Sequence, residues 1–205
     1  MTPTEMEPAA RDRLLDSMLI ALAEQSRAVL SLPGVLADAG VSEAEFAAEY
    51  TDVDACLAAA YQRLTARIET VVRAGCESGE EWPERVRGAL GALLGELAGD
   101  PQMARVLTRT YPSIDATAQA RYQAFVESFA PMLSGGRELA GSAELPAEVE
   151  ALALGALEAI LFEEIESGRA AELLELAPSI LFSLLVPFLG PGQATAEMEK
   201  ARRGS

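Results

Sequence analysis

The chain has 205 residues, half of them hydrophobic, with 32 acidic against 16 basic side chains, no histidine and two cysteines. That length suits one substantial core, or a small domain joined to a larger one. The net charge of −16 has the wrong sign for holding a phosphate backbone by bulk electrostatics. The lack of histidine excludes His-dependent catalytic triads, and two thiols alone argue against a structural zinc site; no cofactor is expected.

Alanine, leucine and glutamate dominate, aromatics are scarce, and Val, Ile and Thr form no alternating runs, so an all-α fold is expected. The longest apolar stretch, Ile180 to Leu189, is interrupted by Ser183 and Pro187. It falls short of the roughly 20 residues of a bilayer span. The start, MTPTEMEPAARDR, lacks the basic flank and apolar run of a secretory signal. No membrane association and a cytoplasmic location are the default expectations.

In chain order, Leu14, Leu15, Met18, Leu19 and Leu22 recur at helical spacing and predict a first amphipathic helix over 9–25. Ser31 offers an N-cap and Pro33 an early helical position for a short helix closed by Gly40. Ser42 then caps a second short helix, with Glu45 three residues on completing a capping box. Two short helices around a glycine-containing turn read as a helix-turn-helix. Thr51 or Asp52 can cap a long helix through Leu57, Tyr61, Leu64, Ile68 and Val72 to about Gly75. Cys56 and Cys76 on that helix stand about 30 Å apart at 1.5 Å per residue and cannot pair.

Pro83 opens a helix ending at Gly99, and Pro101 one ending near Tyr111, before Pro112. A single helix is predicted from Ile114 to about Leu133, then a flexible loop containing Gly135, Gly136 and Gly141. Pro146 begins a final pair that breaks at Gly168 and is apolar over more than one stripe, which exceeds what a monomer core needs. The expected organisation is a head over 1–51, a larger bundle over 52–190 and a disordered tail over 191–205. The Glu163, Glu164 and Glu166 cluster reads as an exposed helical turn and not as paired-carboxylate chemistry; no enzyme is expected.

The segment LADAGVSEAEF followed by Tyr50 resembles the TetR-type helix-turn-helix, in Ala39, Gly40, Val41 and Ser42. Asp54, Ala55, Cys56 and Leu57 resemble the start of that family's fourth helix. The likeness spans most of the chain from Arg11 to Gly190, but only the turn region is specific. It implies a TetR-like all-α protein of about nine helices, a transcriptional regulator that forms a homodimer and senses a small apolar ligand.

The resemblance implies a dimer interface at Leu152, Ala156, Leu157, Ile160, Leu173, Ile180, Leu181 and Leu184. It implies a ligand pocket at Trp82, Met103, Leu107, Tyr111, Tyr122, Phe125, Phe129 and Met132, with Arg105, Arg109 and Arg121 as polar anchors. The positions equivalent to DNA contacts are Ser31, Ser42, Glu43, Ala44, Glu45, Ala47, Ala48, Glu49, Tyr50 and Val53. Core packing accounts for most of the pocket side chains equally well.

The residues at these positions oppose the activity. Glu43, Glu45 and Glu49 occupy the recognition helix, and Val53 stands where a phosphate-binding lysine would. Residues 1–61 hold eleven acidic side chains against three arginines. One carboxylate about 6 Å from a phosphate costs roughly 0.7 kcal/mol in bulk water, and more in a dehydrated groove. Two readings follow. Either the chain is a regulator whose DNA binding is weak or lost, or its acidic head is a protein-interaction module that docks a DNA-binding paralogue or another basic regulator.

Overall fold

In α1 (Pro8–Glu24), Leu14, Leu15, Met18, Leu19 and Leu22 all lie on the buried face, as their spacing requires. The computed structural model describes residues 6–25, 27–139 and 145–204, and among these the regular structure is helical throughout. α2 (Leu32–Ala39) is capped by the Ser31 hydroxyl, which accepts the Gly34 N–H at 3.4 Å. It stops at Gly40, whose φ of 66° would cost a residue with a Cβ about 1–2 kcal/mol.

α3 (Glu43–Glu49) starts with the expected box. The Ser42 hydroxyl accepts the Glu45 N–H at 3.2 Å, and the Glu45 carboxylate accepts the Ser42 N–H at 2.8 Å. Asp52 caps α4 (Val53–Glu77) by accepting the Ala55 N–H at 2.7 Å.

α4 and α5 (Trp82–Gly99) form an antiparallel pair. Gly75 and Gly88 face each other so closely that a Cβ on either would overlap the other's carbonyl oxygen; only glycine permits this approach. α6 (Pro101–Arg105) runs into a π-helical turn, Val106–Thr110, closed by the Tyr111 N–H donating to the Val106 carbonyl at 3.0 Å.

The single helix predicted over 114–133 is two: α7 (Ala116–Glu127) and α8 (Ala130–Ser134). The break falls at Ser128, whose hydroxyl donates to the Phe125 carbonyl at 2.7 Å, and Pro131 supplies no N–H to continue α7. The glycines that follow are not a loose loop at their start: residues 135–138 form a 3-10 turn and Gly136 is buried. Gly141 lies outside the described residues.

α9 (Val149–Glu166), a 3-10 stretch over 170–176 and α10 (Ala177–Gly204) complete the chain. The tail expected to be disordered from residue 191 is instead helical, set off from the first half of α10 by a kink at Gly190. Ala194 is fully buried, and Glu197 binds Arg87 on α5 at 3.2 Å, so long-range packing holds a segment whose own sequence is mostly polar. Segment 170–203 is long and apolar enough to cross a membrane by length and composition. However, Ile180, Leu181, Leu184, Leu185 and Phe188 are core residues here, and buried helices of globular proteins share that composition.

Candidate functional site

The head presents Ser42, Glu43, Ala44, Ala47 and Ala48 to solvent, while Phe46 and Tyr50 turn into the core, 5.7 Å apart between ring centroids. Ser31 is exposed apart from its capping role, and Val53 is half-buried. The three glutamates differ. Among the described residues the Glu43 side chain has no hydrogen-bond or ion-pair partner. Glu45 is held by the capping box, whose hydrogen bonds from Ser42 keep its carboxyl below the usual range. Glu49 is half-buried at the rim of a surface cleft with Arg11, Asp12 and Arg63.

Each arginine of the head is engaged within the chain. Arg11 donates to the Tyr50 hydroxyl at 3.2 Å, Arg13 to the carbonyls of Ala39 and Ala9, and Arg27 pairs with Asp54 at 2.6 Å. Arg63 on α4 bridges Asp12 and Asp16 on α1, tying the head to the long helix. The exposed face of α3 therefore offers no basic side chain.

Two adjoining apolar lobes, with about 50 and 40 Å3 of free space, lie between α5, the α7–α8 segment and α9. They share Leu93, Phe129, Leu154 and Leu157. Of the expected pocket residues, Leu107, Tyr122, Phe125, Phe129 and Met132 line these lobes.

Trp82, Met103 and Tyr111 do not. The Trp82 indole N–H donates to the Met132 carbonyl at 3.0 Å, and its ring packs edge-on against Phe188. Met103 sits beside Asp16, Arg63 and Asp100 at the head–body junction. Tyr111 stacks on Tyr61, 3.8 Å between centroids and 10° from parallel; burial raises both phenols, though Arg121 opposes this at Tyr111.

The expected arginine anchors also lie elsewhere. Arg109 reaches Glu166 at 3.8 Å and covers the Phe162 ring, Arg121 donates to the Tyr111 hydroxyl, and Arg105 is exposed. The polar end of the second lobe is made by Thr108, Tyr122 and Glu158. The Tyr122 hydroxyl lies beside Glu158 there, and burial together with that carboxylate raises the phenol well above its ordinary value. Glu158 was not among the residues picked out in the sequence, although its spacing from Leu154 and Leu161 puts it on their helical face. The acidic cluster that was noted is superficial: Glu163 accepts from Ser167, Glu164 pairs with Arg169, and Glu166 with Arg109.

The residues assigned to a dimer interface divide into two groups. Leu173, Ile180, Leu181 and Leu184 are buried in the chain's own core and cannot present a surface to a partner. Leu152 is 70% exposed, Ala156 is exposed, and Leu157 and Ile160 are half-buried. With Phe162 at 37% and Leu174 at 48%, they leave an apolar strip along α9 and the stretch after it.

No protein-family model matches this sequence, and no curated protein does. Solved structures do match. The fatty acid degradation regulator FadR from Bacillus halodurans aligns over 85% of this chain and 97% of its own, at 15% identity and a TM-score of 0.74. FadR from Bacillus subtilis, solved in complex with stearoyl-CoA, aligns over 87% and 98% at 15% identity and a TM-score of 0.70. A TetR-like transcriptional regulator from Rhodococcus sp. RHA1 covers 91% and 100% at 20% identity and a TM-score of 0.66. The helix-turn-helix head, the long α4 and the bundle behind it thus have the all-α fold of TetR-type transcriptional regulators.

Proposed function

We propose that this chain is a cytoplasmic TetR-type regulatory protein that acts as a homodimer, takes a small apolar ligand between α5, α7 and α9, and has little or no DNA affinity of its own. The observation that carries the loss of DNA affinity is the engagement of Arg11, Arg13 and Arg27 within the chain while α3 exposes Glu43 and three alanines. Phosphate contacts position a reading head on its duplex, and base contacts without them hold poorly. The apolar lobes support the ligand reading. The strip containing Leu152 and Ala156 supports the dimer, because contiguous exposed apolar surface commonly marks an interface.

A protein partner for the head is the second reading. Ile20 and Val29 are 50% and 66% exposed in the acidic N-terminal region, a mixture suited to a basic, partly apolar surface.

Fluorescence anisotropy with the duplex upstream of the chain's own gene, at 20 and 200 mM salt, tests the first reading. No saturable binding is expected at either salt. Tight binding that weakens steeply with salt would overturn it. A basic regulator recovered with the wild type, but not after Ile20→Glu, would favour the second.

A further inference from the structure

Among the described residues that line the two lobes, Glu158 is the one charged side chain, and no basic side chain joins it there. Among the described residues it forms no ion pair, and Thr108 and Tyr122 are the other polar side chains of its lobe. The arginines that adjoin Thr108 and Tyr122 in sequence are held elsewhere, Arg109 by Glu166 and Arg121 by Tyr111. A carboxylate at the end of an apolar cavity, beside a phenol and with no cation, attracts positive charge and repels a carboxylate or phosphate.

Resting on the sensor reading above, we propose that the cavity selects an organic cation, an alkylamine-like amphiphile. Its ammonium group meets Glu158, and its hydrocarbon body lies among Leu93, Phe129, Leu154 and Leu157. The free space is small, about 50 and 40 Å3. The lobes abut along shared side chains, and the flexible Met132 thioether at the far lobe can yield to an entering chain. The chemistry differs from that of the stearoyl-CoA held by the Bacillus subtilis regulator, whose phosphates would meet no basic side chain here.

Three ligands of equal length separate the possibilities: octylammonium, octanol and octanoate, each titrated calorimetrically into the full chain at pH 7. Octylammonium should bind roughly tenfold more tightly than octanol, the strength of one charge-assisted hydrogen bond, and octanoate most weakly. Glu158→Gln should remove that tenfold advantage and leave octanol unchanged, which also shows that the variant folds. Equal binding of all three, a preference for octanoate, or an octylammonium advantage that survives Glu158→Gln would overturn cation selection while leaving an apolar sensor standing. Failure of all three to bind would overturn the sensor reading itself. Leu157→Trp, which fills the shared wall, should abolish binding of every ligand if the lobes are the site; retained binding would place the ligands elsewhere.

Discussion

The hydroxyl of Tyr61, buried midway along α4, donates to the Leu107 carbonyl 3.1 Å away inside the π-helical turn. Widening a helix to π geometry disturbs the regular carbonyl ladder, and here a side chain from another helix satisfies one of the group's acceptors. The Leu107 side chain lines the second lobe, so one residue touches both the cavity and the helix that carries the head. Tyr61→Phe should destabilise the fold by about 1–3 kcal/mol, because a buried carbonyl loses its partner. Tyr61→Ala should cost about 3–5 kcal/mol through the cavity it leaves. Urea denaturation checks both; a Tyr61→Phe variant as stable as the wild type would mean the hydrogen bond contributes nothing.

Leu152 and Leu181 should respond differently to the same replacement. Leu152→Glu places a charge on an exposed side chain and should leave the melting curve nearly unchanged while light scattering shows monomers. Leu181→Glu puts a carboxylate where the side chain is 1% exposed, and upwards of about 4 kcal/mol should be lost. An unchanged dimer in Leu152→Glu would move the interface off α9.

Acid should act on the contact between Arg137 and Glu150. The Arg137 guanidinium grips Glu150 with two hydrogen bonds and holds its carboxyl below the ordinary range. A depressed folded value means the stabilisation is complete above the unfolded value of 4.5 and is lost as pH falls through the lower folded one. The difference in urea midpoint between wild type and Glu150→Gln should therefore be widest at pH 6 and shrink steadily below pH 4.5. A gap independent of pH would assign the effect to packing.

The two thiols should react in sequence. Cys56 is fully buried and burial pushes its thiol up to about 12, whereas Cys76 is partly exposed. An aromatic disulfide reagent should modify one equivalent in the native protein, lost in Cys76→Ser. The second should appear only on unfolding.

The head was legible residue by residue. Capping chemistry is local, so Ser31, Gly40, Ser42, Glu45 and Asp52 announce their turns within four positions of the bonds they make. The allocation of apolar faces was not. The last two helices are apolar on more than one side, and periodicity alone does not distinguish Leu181, which faces the chain's own core, from Leu152, which faces solvent. Trp82 and Tyr111 look like cavity walls by position, yet their partners Phe188 and Tyr61 are distant in sequence and draw them away. The helical segment after Gly190 depends on Arg87, 110 residues from Glu197, which no local pattern reveals.

The glycine contact between α4 and α5 bears on how any signal could pass through this molecule. Gly75 and Gly88 leave no room for the helices to slide, since each backbone occupies the space a methyl group would need on the other. α4 reaches the head through Arg63, and α5 supplies Val86, Leu90 and Leu93 to the lobes. On the sensor reading, displacement of Leu93 is therefore expected to move α4 and α5 together. An alanine at either glycine would force the two helices apart at this point.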